Sequence, residues 1–124
     1  MECIGSPELP PPAGHYSQAV AACGLVFLSG ILPARHDVDP AAADFDAQCA
    51  SVFDGCEKVL RAAGCTFGDV VQCTAYLAGV EHWPAFDTCY ARVFGEHRPA
   101  RAVVPVPALH YGFLVEVQLV AQRP

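Results

Sequence analysis

Arg101 stands in the run Arg98-Pro99-Ala100-Arg101-Ala102-Val103-Val104-Pro105-Val106, at the lip of a β-branched stretch in a chain with only seven Lys plus Arg. A guanidinium is planar, always charged and carries five N–H donors. One that a proline and a strand hold in place is suited to bidentate capture of a carboxylate. An arginine at an exposed strand end otherwise makes only a weak surface pair, so the residues around it decide between the two readings. Glu116 is the second singular side chain, a carboxylate between Val115 and Val117 in an apolar strand. Acids are almost never buried unpaired. Glu116 is therefore either an interface acid paired to a neighbouring group or a water-orienting, proton-transferring one. Tyr16, behind Gly14 and His15, opens one strand, and Ser29-Gly30 ends the next. Tyrosine and serine are also common at strand ends for structural reasons alone.

These side chains need elements to position them. A chain of 124 residues, 53% of them hydrophobic, is expected to form one domain over 1–124 that buries a core unaided. A mean hydropathy of +0.31 with only 16% charged residues is more apolar than so small a surface requires, which points to a subunit interface. Residues 1–12, with prolines from Pro7 to Pro12, read as a loose N-terminal segment. Tyr16 to Ala21 and Leu25 to Ser29 read as a hairpin about Cys23-Gly24. Asp39-Pro40 reads as a helix cap. Phe45, Cys49, Val52, Phe53, Cys56, Val59, Leu60 and Ala63 then recur at helical spacing until Gly64.

A third strand is predicted over Val70 to Leu77. Trp83, Phe86, Tyr90 and Phe94 give a second helix, with Pro84 in its first turn and Gly95 at its end. Ala100 to Val106 and Phe113 to Gln122 supply the last strands, the final one turning Phe113, Val115, Val117, Leu119 and Ala121 to one face. The predicted order is β-β-α-β-α-β-β, an α+β layer of two helices against one face of a mixed sheet. The opposite face, with Leu114, Glu116, Gln118 and Val120, is too apolar to be left in water.

A net charge of −6 and a pI near 5.1 argue against nucleic acid as partner, because that affinity rests on Lys and Arg clusters. No apolar run approaches the roughly 20 residues of a membrane span, and residues 1–14 show no basic start followed by an apolar stretch. A soluble, unprocessed, cytoplasmic protein is expected. The seven cysteines contain no C-x-x-C pair and are odd in number, so they read as reduced core or interface residues. His15, His36, His82, His97 and His110 lack ligand spacing, and no metal site is expected.

Five segments together resemble the RidA/YjgF family of reactive-intermediate (enamine/imine) deaminases. They are Pro12-Ala13-Gly14-His15-Tyr16-Ser17-Gln18-Ala19-Val20, the run Gly24 to Pro33, Ala62 to Val71, Pro99-Ala100-Arg101, and Leu114-Val115-Glu116-Val117. The match runs in register from about Pro12 to Ala121. The resemblance implies a chorismate-mutase-like fold assembled as a homotrimer, with sites in clefts between neighbours. It carries Arg101 onto the carboxylate-binding arginine, Glu116 onto the acid near the water and Tyr16 onto the cleft tyrosine. Ser29 and Gly30 fall on the pocket lining, as does Val103 through its backbone groups.

The implied reaction is hydrolysis of an enamine or imine, such as that formed from 2-aminoacrylate, to a keto acid and ammonia, with neither cofactor nor metal. The chain departs from the pattern at Val103, where many members carry cysteine, and at Pro107 and Val117. It departs also at Asp87, where asparagine is common, and at His15, where proline is frequent. Other readings are a non-catalytic small-acid sensor, a chaperone-like trimer or a repurposed pathway-specific member. An endoribonuclease ranks last for want of a basic groove.

Overall fold

The structure, a computed structural model, describes residues 1–124. Six strands form one sheet: β1 (Glu2–Ile4), β2 (Ala19–Ala22), β3 (Leu25–Leu28), β4 (Val70–Leu77), β5 (Ala100–Pro105) and β6 (Val115–Gln122), with helices α1 (Phe45–Ala62) and α2 (Trp83–Phe94) between them. The strand order is β1-β2-β3-β6-β4-β5, with β4 and β5 parallel and all other neighbours antiparallel. This is the expected mixed sheet with two helices. One face of β6 is buried throughout, at Val115, Val117, Leu119 and Ala121, and joins Val52, Phe53, Cys56, Val59 and Leu60 of α1 and Phe86, Tyr90 and Phe94 of α2 in a single core.

The N-terminus corrects the expectation of a loose segment. Residues 2–4 pair with β2 and put an extra strand at the sheet edge, giving the order β-β-β-α-β-α-β-β. Gln18, a buried amide, accepts from Ser6 N–H at 2.7 Å and donates to Pro10 O at 3.2 Å. A buried amide must find partners, and here it ties the proline-rich stretch down.

The start of α1 is also later than predicted. Asp39 does open a helical turn, with Ala43 N–H bonded to its carbonyl at 2.8 Å, but the helix proper begins after a second cap. Asp44 Oδ1 accepts from Ala47 N–H at 2.8 Å. Gln48, fully buried in the first turn of the helix, ties this start to the residues around it by donating to Ala43 O at 3.3 Å and accepting from Leu114 N–H at 2.8 Å. At the other end Gly64, at φ +77°, takes the left-handed position while Cys65 N–H reaches Leu60 O at 2.8 Å, as a helix stop requires. In the β2–β3 turn, Cys23 at φ +54° and Gly24 at φ +76° give the two left-handed residues of a type I′ hairpin. All seven cysteines are free. Five are buried, whereas Cys3 and Cys23 are exposed within the chain.

The face of the sheet away from the helices is open within the chain. It exposes Phe27 on β3, Val71 on β4 and Val104 on β5, with Val120 of β6 half-buried beside Phe27. No helix is long and apolar enough to cross a membrane.

Candidate functional site

Strand register sorts the sequence-predicted residues into two groups. Arg101 lies opposite Cys73, which lies opposite Leu119, and both partners are buried under the helices. Directly paired residues share a face. Arg101, and with it Val103, therefore turns toward the helix layer. Glu116 lies opposite Tyr76, which lies opposite Val104, so Glu116 turns to the open face. Two strand spacings, about 10 Å, separate β6 from β5 within the sheet. One chain therefore does not bring Arg101 and Glu116 together.

The Arg101 side chain is held from α2 on two sides. The guanidinium donates from Nη1 to Asp87 Oδ1 at 2.8 Å, and its Cζ lies 4.7 Å above the centre of the Tyr90 ring and 5.8 Å from that of Trp83. Trp83, Asp87 and Tyr90 are spaced i, i+4, i+7, so α2 presents them on one side. The Tyr90 ring lies under the guanidinium carbon, and Asp87 fixes one nitrogen. About a fifth of the Arg101 side chain remains exposed. Its other N–H groups can meet a planar anion there. Val103 packs against the core beside Ala75.

The Glu116 group forms where β3 leaves the sheet. Between the pairs Phe27–Val120 and Ile31–Val117, four residue steps on one strand oppose three on the other, which is a bulge containing Ser29 and Gly30. A Cβ placed on Gly30 would stand 2.8 Å from Glu116 Oε1, so the missing side chain is what lets the carboxylate lie there. Ser29 is occupied by the scaffold: its Oγ donates to Ser17 O at 2.6 Å and its N–H to Gln18 O at 2.9 Å. This brings the 16–18 segment beside the bulge. Tyr16 is about half exposed there, and His15 is exposed next to it. Ser29, Gly30 and Glu116 thus form a contiguous group, with Tyr16 one residue before the Ser17 carbonyl that Ser29 holds, while Arg101 and Val103 stand apart.

Sequence reading missed the roles of Trp83, Asp87 and Tyr90. Of the four aromatic residues that mark α2 in the sequence, Trp83 is 42% exposed while Phe86, Tyr90 and Phe94 are buried. The signal was present in the helical spacing that joins Trp83 and Tyr90 to Asp87, the acid at the departing position. The Tyr90 hydroxyl is buried without a partner, and burial pushes its pKa up to about 12. Burial likewise pushes the Cys73 thiol, beneath the Arg101 edge, up to about 12. A thiol there is held protonated. No cluster of three or more His, Cys, Asp or Glu side chains has a metal-holding arrangement.

The comparisons with known proteins agree with this architecture. The chain is 37% identical over 127 residues to the protein DfrA of Myxococcus xanthus, covering 97% of this chain and 94% of that one. It is 35% identical over 121 residues to the 2-iminobutanoate/2-iminopropanoate deaminase of the goat, Capra hircus, covering 95% and 87%. The crystal structure of RidA from the Antarctic bacterium Psychrobacter superposes with a TM-score of 0.89 at 29% identity, covering 98% and 99%. The family profile described as Endoribonuclease L-PSP matches residues 7–123, and with that match across nearly the whole sheet and both helices the chain belongs to this family, the RidA/YjgF family.

Proposed function

We propose that the protein is an enamine/imine deaminase that hydrolyses 2-aminoacrylate-like, carboxylate-bearing intermediates to a keto acid and ammonia. The observation that carries this reading is the Arg101 guanidinium, held over the Tyr90 ring and by Asp87 with donors left over. Such a group receives a carboxylate through parallel hydrogen bonds and so orients the adjoining C=N carbon. The 35% identity to a relative named for 2-iminobutanoate and 2-iminopropanoate supports the substrate class.

In the proposed reaction water adds through its oxygen to the imine carbon, and the nitrogen takes up protons. The C–N bond then breaks to release ammonia as the C=O bond forms. Glu116 guides the attacking water and passes the proton, and Tyr16 closes the cleft beside it. No cofactor or metal enters this scheme. Because Arg101 and Glu116 face opposite sides of the sheet, the complete site takes Arg101 from one chain and Glu116 from its neighbour. The chains form a homotrimer in which the open sheet face, with Phe27, Val71 and Val104, is covered. Apolar burial, not disulfides, holds that assembly together.

The word endoribonuclease in the family description suggests a second activity. Of the seven basic residues, Lys58, Arg61, Arg101 and Arg123 are already ion-paired within the chain, which leaves no basic groove for a phosphate backbone. The deciding experiment measures keto acid and ammonia release from enzymatically generated 2-aminoacrylate with and without the protein. Acceleration proportional to protein supports the reading, and release at the spontaneous rate overturns it. Light scattering under a thiol reductant tests the assembly: a trimer is expected, and a monomer contradicts the shared site.

A further inference from the structure

Asp87 stands beside the proposed carboxylate-binding arginine and takes one of its nitrogens at 2.8 Å, so that the pair as a unit carries no net charge. About half of the Asp87 side chain is exposed, beside an Arg101 side chain that is about a fifth exposed. The Tyr90 and Trp83 rings lie against the guanidinium, and Val103 shares its side of β5. A second cation is not at hand on the helix. Arg92 lies about 140° round α2 from Asp87, and its charge acts on the Cys49–Cys89 thiols instead. One carboxylate can satisfy Arg101. With that carboxylate bound, the neutral Arg101–Asp87 pair becomes a cluster with one net negative charge, which repels a second carboxylate.

We propose that Asp87 is a specificity-determining residue that restricts the Arg101 site to imines with a single carboxylate and an uncharged side chain, and rejects imines that bear a second carboxylate. The inference rests on the deaminase reading for the identity of the substrate, but its physical content is a charge filter at Arg101. Trp83 and Tyr90 complement it by offering ring surface to an apolar substituent. Asp87 acts through charge, so the change that isolates it is Asp87→Asn. The Asn Oδ1 still accepts from Arg101 Nη1, and only the negative charge is lost.

The test uses the assembled protein and two imines released by an amino-acid oxidase, one from alanine and one from glutamate. Wild type should favour the alanine-derived imine in kcat/KM, and D87N should narrow that preference about tenfold, chiefly through KM for the dicarboxylate. Added salt should narrow the wild-type preference and leave that of D87N in place. In parallel, pyruvate and 2-oxoglutarate are titrated against the fluorescence of Trp83, the one tryptophan of the chain and a neighbour of Arg101.

The same shift in relative affinity is expected between wild type and D87N. If turnover is absent on both imines but the fluorescence preference shifts in D87N, the deaminase reading fails and the charge filter stands. If wild type turns over and neither ratio moves in D87N, the filter is wrong and the deaminase reading survives. Equal loss on both substrates would also overturn it, by reducing Asp87 to an anchor for Arg101.

Discussion

Arg101 lies on the helix-covered side of an edge strand, fixed by an aspartate and two aromatic rings, whereas Glu116 lies on the open side of a central strand against a glycine. The first is finished within one chain: its partner and its surroundings are set by α2. The second is unfinished. Glu116 takes part in none of the chain's ion pairs, and its row on the sheet continues into Tyr76 and Val104, on a surface too apolar to remain in water. In the proposed reaction the binding anchor is thus built from local contacts, while the water-handling acid would need the low-dielectric, water-excluded cleft of a neighbouring subunit. The two groups should therefore respond differently to substitution.

The largest effect is expected at the anchor. Arg101→Lys should lower kcat/KM on a carboxylate-bearing imine about a thousandfold with the trimer intact, because an ammonium does not reproduce the parallel hydrogen bonds. Arg101→Ala should lose at least as much. Near wild-type turnover in the lysine variant, measured as ammonia release, would remove Arg101 from the site.

Glu116→Gln separates the chemical role of the acid from a structural one. It preserves volume and removes only the charge, so assembly should persist while turnover falls about a hundredfold. An intact trimer with an unchanged rate at every pH would leave Arg101 and Tyr16 to account for activity. A trimer weakened without a change of rate per assembled site would instead make Glu116 an interface acid.

How much of this was readable beforehand follows the same division. Period-two alternation in β6 and helical spacing in α1 and α2 are dictated by which side meets the core, so those elements and the buried face of Val115, Val117, Leu119 and Ala121 were legible. The strand at Glu2–Ile4 was not. Its pairing depends on the Gln18 amide reaching Ser6 and Pro10, a tertiary contact that local composition does not encode. The start of α1 was misplaced for a similar reason: two aspartates each offer a cap, and the choice of Asp44 is made by Gln48 and Leu114. Arg101 and Glu116 stood out by type and by family resemblance, but parity along paired strands was needed to put them on opposite faces. Asp87 was noticed only as a departure, since nothing in the sequence brings residue 87 to residue 101.

Gly30→Ala probes the unfinished side from the backbone. The added methyl would stand 2.8 Å from the Glu116 carboxylate, the far end of a flexible side chain, so the acid should swing away at little cost in stability. Turnover should fall about tenfold toward the Glu116→Gln level, with a melting temperature within about 2 °C of wild type. If G30A is as active as wild type, the position of Glu116 over the bulge does not matter to the reaction.

The smallest effect is expected beneath the anchor, at Tyr90→Phe. The ring under the guanidinium carbon is retained, and only a hydroxyl that is buried without a partner is removed. Turnover should stay within about twofold of wild type. Stability near neutral pH should be unchanged or higher by up to about 1 kcal/mol, since an unpaired buried hydroxyl costs free energy.

The variants part at alkaline pH. Burial first, and then the Cys73 thiol, push the Tyr90 hydroxyl up from the ordinary value of 10 to about 12, against the opposing pull of Arg101. The folded state therefore holds this proton more tightly than the unfolded chain. Its contribution is complete below about pH 10, declines as the unfolded chain deprotonates, and is lost as the pH passes through about 12. Y90F lacks that contribution, so wild type should lose stability faster than Y90F between those limits. Melting curves of both proteins across pH 9 to 12 read the difference directly. Parallel curves would show that Tyr90 is wetter than its packing implies, and a tenfold loss of turnover in Y90F would mean that the hydroxyl, not the ring alone, serves the Arg101 site.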